Sequence, residues 1–219
     1  MASVLRLLAL LVAAAAMSAD AVTIVVTNKC AYTVWPAALP GGGTELNTGE
    51  RWRINVPAGT RNGRVWARTG CGFVVNGTLL GQCQTGDCGG TLACGKVGAQ
   101  PATVAEYSLG GGGGGADRFD ISLVRGFNAP MAFLPAGGAR CARGGPSCPV
   151  QDITFDCPSE QRQKAGCANP CNGKSSCGPN SGTEYFKKAC PNTITYPRDT
   201  RNTVYTCPAG TNYEITFCP

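Results

Sequence analysis

Side chains able to do acid–base or redox chemistry are unevenly supplied in this 219-residue chain: 14 cysteines, 13 Asp plus Glu, and no histidine. Without imidazole there is no Ser-His-Asp or Cys-His pair, no histidine metal ligand and no imidazole pH switch. Carboxylates are the acid–base candidates that remain. The cysteines are even in number and none are spaced C-x-x-C, so zinc-ribbon and thioredoxin-type readings lack their basic spacing. Paired disulfides are the default, and no metal or cofactor is expected. The run Gly110 to Gly115 also invites a chemical reading. A phosphate cradle would need a following Gly-Lys-[Ser/Thr] and a helix, whereas Ala116-Asp117-Arg118-Phe119-Asp120 leads into a strand pattern. The run therefore reads as a flexible hairpin loop. Asn76-Gly77-Thr78 is the sole N-x-[S/T] sequon and makes Asn76 a candidate glycosylation site.

The elements that must position these groups begin after a targeting segment. Arg6 precedes the apolar run Leu7 to Met17, and Ala19 and Ala21 form an Ala-x-Ala cleavage site, so residues 1–21 read as a secretory signal peptide. No later stretch approaches the roughly 20 apolar residues of a membrane helix. The expectation is a secreted, extracellular (apoplastic) protein in an oxidising compartment, monomeric and without stable membrane insertion. Cleavage leaves 18 − 12 = +6 on 198 residues. Lys and Arg are scattered with no block of five, which argues against nucleic acid. A net positive surface favours approach to anionic walls or membranes, an attraction that salt weakens.

The mature chain reads as mainly β. Strand patterns cover Val22 to Thr27, Tyr32 to Trp35, Arg51 to Val56, Val65 to Thr69, Thr103 to Leu109, Phe119 to Val124, Thr203 to Thr206 and Tyr213 to Phe217. Many short strands divided by Gly, Pro and Asn point to an antiparallel sandwich or barrel. Between Cys141 and Cys190 lie seven cysteines and few long apolar runs, as in a loop-rich lobe held by disulfides. Short helices are expected there at Ser159 to Lys164, with Ser159 as N-cap, and at Glu184 to Ala189. A second small Cys-rich patch covers Cys71 to Cys94.

Several ordered strings resemble the thaumatin-like, or pathogenesis-related group 5, proteins of plants. They include Asn28-Lys29-Cys30-Ala31-Tyr32-Thr33-Val34-Trp35, Arg64-Val65-Trp66-Ala67-Arg68-Thr69-Gly70-Cys71 and Cys83-Gln84-Thr85-Gly86-Asp87-Cys88-Gly89-Gly90. Ala105-Glu106-Tyr107, Phe119-Asp120-Ile121, Gly126-Phe127-Asn128, Phe186-Lys187-Lys188-Ala189-Cys190-Pro191 and Phe217-Cys218-Pro219 continue the match over residues 22–219. The resemblance implies an antiparallel β-sandwich (about 22–70, 101–149 and 191–219), a small Cys-rich loop region (71–100) and a disulfide-rich loop and short-helix lobe (150–190). A groove would separate sandwich and lobe. Fourteen cysteines allow roughly 135,000 pairings. The resemblance implies Cys30–Cys218, Cys71–Cys83, Cys88–Cys94, Cys141–Cys207, Cys148–Cys190 and Cys157–Cys167. The family's adjacent Cys-Cys pair is missing, and two lobe bridges collapse into one, Cys171–Cys177.

Members with an acidic cleft carry an Arg-Glu-Asp-Asp-Asp set, which the resemblance maps onto Arg64, Glu106 and Asp120. Arg125 replaces the next Asp, and Asp199 holds the last position unless Thr200 has replaced it. Strand phase supports Glu106, which alternates with Ala105, Tyr107 and Leu109 and so faces the cleft if they face the core. Glycoside hydrolysis needs two carboxyl groups with one kept protonated. Arg125 removes one carboxyl, and a guanidinium nearby favours the charged form of another. Three readings stay open for these residues: a salt-bridged network, sugar contacts without turnover, or catalysis by Glu106 as acid with Asp120 as base or nucleophile. Trp35, Trp52 and Trp66 could stack on sugars, although Trp52 and Trp66 sit in strand patterns that favour core packing. The resemblance implies a secreted antifungal defence protein that binds β-1,3-glucan or a fungal surface with weak or no hydrolysis. The alternatives are a weak endo-β-1,3-glucanase, or an inhibitor of a microbial hydrolase with the Cys171 to Cys177 loop as a contact.

Overall fold

The computed structural model describes residues 21–73, 81–111, 114–151, 157–200 and 202–219. The expected signal peptide apart from Ala21, and the sequon residue Asn76, lie outside the described residues. Two sheets form the body. The first contains β1 (Ala21–Asn28), β4 (Arg51–Pro57), β8 (Met131–Pro135), β9 (Ser147–Cys148) and β13 (Tyr213–Phe217), in the order β4-β1-β13-β8-β9. The second contains β2 (Ala37–Leu39), β3 (Gly42–Gly43), β5 (Gly63–Trp66), β6 (Val104–Ser108), β7 (Ala116–Ser122) and β12 (Tyr205–Pro208), in the order β12-β7-β6-β5-β2-β3.

Period-2 alternation builds the core between the sheets. Val22, Ile24 and Val26 of β1, Ile54 and Val56 of β4, and Tyr213, Ile215 and Phe217 of β13 are buried in one cluster with Ala105, Tyr107, Phe119 and Ile121 of the second sheet. Rings lock the two layers: Phe119 lies 4.9 Å from Phe133 and 5.0 Å from Tyr213, centroid to centroid, in edge-on or tilted geometry. Among the described residues these strands pair antiparallel except for β1 and β13, which run parallel. That register carries Asn28 beside Phe217, so Cys30 and Cys218 leave the sheet at the same end and join. All fourteen cysteines are bridged, in the six pairs that the resemblance implies and in the seventh, Cys171–Cys177, expected where the chain departs from the family pattern.

A buried polar contact also ties the layers. The Tyr213 hydroxyl donates to Asp117 Oδ2 at 2.8 Å, and the Gly110 amide, just beyond the end of β6, donates to Oδ1 at 2.7 Å. Tyr213→Phe keeps the ring and strips one donor from a buried carboxyl, so it is expected to cost about 2 kcal/mol in urea unfolding. A loss below about 0.5 kcal/mol would show that Asp117 draws nothing from the hydroxyl.

Three local expectations are revised. Tyr32 to Trp35 contributes a single bridge, Val34 to Leu46, because the Asn28 side chain donates to the Tyr32 and Leu46 carbonyls and pins this stretch as a loop. Ser159 to Lys164 forms no helix. Its end lies in the hairpin of β10 (Arg162–Gln163) and β11 (Gly166–Cys167), since the Cys157–Cys167 bridge demands a chain reversal that a helix cannot make. The second expected helix exists and starts earlier, as α1 (Ser181–Ala189). Asn180 and Thr183 cap each other reciprocally: Oδ1 accepts from the Thr183 amide and Thr183 Oγ1 from the Asn180 amide.

Candidate functional site

The site is a row of polar side chains in cross-strand register on the outer face of the second sheet. Arg64 of β5 stands opposite Glu106 of β6, and Glu106 opposite Asp120 of β7. Their neighbours Val65, Ala105, Tyr107, Phe119 and Ile121 are buried in the main core, which turns the row outward. Gly63 lets β5 approach: a Cβ there would lie 2.1 Å from the Tyr107 ring. The flanks of the outer face are covered. Trp66 and Val104 are buried with Ala37, Cys88, Cys94 and Ala102 beneath the small Cys-rich region, and Ile194 pairs beside Ser122.

Between these covers the row floors two hollows that share Arg64 and Glu106. One, about 250 Å³, is walled by Ser122, Val124, Arg125, Ile194, Pro197 and by Asn172 and Gly173 of the Cys171–Cys177 loop. The other, about 290 Å³, is lined by Asn62, Tyr107, Ser108, Arg118, Asp120 and Val204.

The row is electrostatically graded. Arg64 Nε donates to Glu106 Oε1 at 2.7 Å, with both side chains about a third exposed (39% and 32%). Asp120 Oδ1 is sealed from solvent without a hydrogen-bond partner. Burial pushes the Asp120 carboxyl up to about 8; Glu106 adds to the rise and Arg64 opposes it. Between pH 5 and 7 Asp120 is thus a carboxylic acid beside an ion-paired glutamate. Directly opposed antiparallel residues hold their Cβ atoms roughly 4.5–5.5 Å apart. Sequence reasoning made Glu106 the acid and Asp120 the base or nucleophile. The surroundings reverse that order, because the proton stays where desolvation is greatest.

A family model described as the thaumatin family matches residues 28–219. The chain belongs to that family. It is 46% identical to zeamatin of Zea mays over an alignment of 232 positions covering all of both chains. It is 47% identical to an alpha-amylase/trypsin inhibitor of Zea mays over 207 positions, covering 89% of this chain and 98% of the relative. Among solved structures, a thaumatin-like xylanase inhibitor is similar with a TM-score of 0.52 and 28% identity, over 90% of this chain and 99% of the other.

In this thaumatin-family protein Arg125 neither bridges a carboxylate nor turns to solvent. It lines the first hollow, donates through one terminal nitrogen to the Gly98 carbonyl, and keeps Nε buried without a partner. Burial and the nearby Arg64 lower its pKa, against an opposing pull from Glu106. Gly126, at φ +90°, allows this bend, because a Cβ would lie 2.4 Å from the Cys167 carbonyl of the lobe.

Asp199 is displaced from the expected set. Its side chain is fully buried, accepts from the Thr195 amide and hydroxyl at 3.1 Å, and pairs with Lys187 of α1 at 2.6 Å. The last turn of the helix aims Lys187 under this segment, so Asp199 anchors the wall instead of lining a hollow. Thr200, its alternative, is exposed and lines neither hollow. Trp66 is buried and donates to the Gly86 carbonyl, Trp52 packs half-buried against the main core, and Trp35 donates to Glu45. Sequence reasoning missed Arg118, Asn62, Ser122 and Asn172. Arg118 and Ser122 carried a signal: two residues either side of Asp120, they share its strand face.

Proposed function

We propose that this is a secreted plant defence protein that binds β-1,3-glucan-type wall polysaccharide, or the fungal surface carrying it, along the two hollows, with little or no hydrolysis. The observation that carries the reading is the open cross-strand row Arg64-Glu106-Asp120. It offers donors and acceptors in a line, with Asn62, Ser122 and Asn172 beside it for hydroxyl groups. Seven disulfides fit an oxidising, extracellular setting, and no helix among the described residues is long and apolar enough to cross a membrane. Zeamatin and the thaumatin-like relatives support the defence role by kinship. Turnover is disfavoured because Glu106 is engaged by Arg64 and the next family carboxylate is Arg125.

The test is retention of the mature protein on insoluble β-1,3-glucan at low salt. Wild type is expected to bind, and the double variant Arg64→Ala/Glu106→Ala to bind about tenfold less. Absence of wild-type retention overturns the reading. A reducing-sugar assay on wild type beside Glu106→Gln is expected to give equal, near-blank rates. A substantial wild-type rate lost in the variant would establish the glucanase alternative instead.

A second reading, inhibition of a hydrolase, is favoured by the two inhibitor relatives and by the exposed tip Gly173 to Ser176 of the Cys171–Cys177 loop. Dose-dependent loss of microbial xylanase, amylase or trypsin activity with added protein would establish it.

A further inference from the structure

The hollow beside the lobe carries positive charge that the protein does not answer. Arg64 and Arg125 line it, Arg118 lines the adjoining one, and the carboxyl group on this floor, Glu106, is already paired with Arg64. Asp120 does not line this hollow, and burial pushes its carboxyl up to about 8. Among the described residues no carboxylate lies within 4.0 Å of Arg125 or Arg118. Arg125 is the sharper case, with the neutral Gly98 carbonyl as its partner and a buried Nε that bonds to nothing. A half-buried guanidinium without an anion is costly, and its terminal donors match a carboxylate edge. The mutual repulsion of Arg64 and Arg125 points the same way, because an anion between them would relieve it.

We propose that the hollow walled by Arg125, Ser122 and Asn172 is a subsite for a carboxylate-bearing sugar unit, a uronate, within an otherwise neutral polysaccharide chain. The inference rests on the carbohydrate reading above and assigns the chemistry of one unit. Asn172 supplies an uncharged partner for ring hydroxyls, as a sugar needs and a bare ion does not. Glu106 at the same floor disfavours a dense polyanion and selects an isolated negative charge flanked by neutral units.

The experiment is calorimetric titration of the mature protein with two probes of equal length. One is a neutral β-1,3-gluco-oligosaccharide, and the other is the same chain with one glucose replaced by glucuronate. Wild type is expected to bind the uronate probe about tenfold more tightly at low salt. Arg125→Gln is expected to abolish that preference, so that this variant binds the two probes equally. Arg125→Lys, which keeps the charge and loses the fork, is expected to retain part of it. Arg53→Gln, on the exposed face of β4 in the other sheet, is expected to change neither, which separates the subsite from general surface charge. If the neutral probe binds and the carboxylate adds nothing, or its gain survives in Arg125→Gln, the subsite is overturned and the carbohydrate reading stands. If neither probe binds, both fall. If the uronate probe alone binds, the subsite is supported and the neutral-glucan reading is replaced. A glutamate-containing peptide binding as tightly as the uronate probe would overturn the sugar assignment.

Discussion

Asp120→Asn is expected to remove a decline in stability that the wild type shows between about pH 4 and pH 8. The folded carboxyl titrates at about 8 against an ordinary value of 3.8. Below pH 4 folded and unfolded chains both keep the proton, and Asp120 exacts no penalty. As pH rises the unfolded chain releases its proton first, so it binds fewer protons than the native state and stability falls, by about 1.4 kcal/mol per pH unit at most. Above pH 8 both forms are ionised and the decline stops. Asparagine keeps the shape and cannot ionise. Urea unfolding at pH 3, 5, 7 and 9 is expected to show variant and wild type nearly equal at pH 3, with the variant ahead by on the order of 3–5 kcal/mol at pH 9. A constant difference across the range would place the Asp120 proton elsewhere.

Replacing Cys30 and Cys218 together by serine is expected to cost about 5 kcal/mol, since their bridge closes a separation of 188 residues. The bridge clamps the parallel β1–β13 pair at the centre of the first sheet, where loss of register would open the main core. Replacing Cys171 and Cys177, which close a separation of 6, is expected to cost about 2 kcal/mol. The second change falls on the loop that walls the first hollow, so it should disturb glucan retention more than folding. Chemical denaturation of the two double variants checks the ranking. Equal losses would mean that local contacts outweigh the chain-entropy difference.

How much was legible depended on whether the controlling interaction was local. β1, β4, β6, β7 and β13 were readable to within a few residues, because each buries alternate side chains on one core face. β2 and β3 were not, since Ala37-Ala38-Leu39 and Gly42-Gly43 have too few residues to show a period. In β8, Met131, Ala132 and Phe133 are buried in succession, so no alternation marked it. The reading of Ser159 to Lys164 as helix failed because a disulfide across ten residues outweighed local preference. At the site, the resemblance supplied Arg64, Glu106 and Asp120, while their register across three strands is a long-range property that no local string contains. Asp199 was misplaced for the same reason: its ammonium partner arrives from the far end of α1.

By itself the sequence determined that imidazole chemistry is absent, that fourteen cysteines can all pair and that the chain is mainly β, and its family resemblance implied that Arg125 interrupts the acidic set. The tertiary structure alone decided that burial raises the Asp120 carboxyl, that Glu106 is engaged by Arg64 and that Arg125 is left facing a neutral carbonyl. The physical reason is that residue type fixes which groups can ionise. Whether they do depends on desolvation and on charges brought close by the fold, and strand pairing and bridges set both.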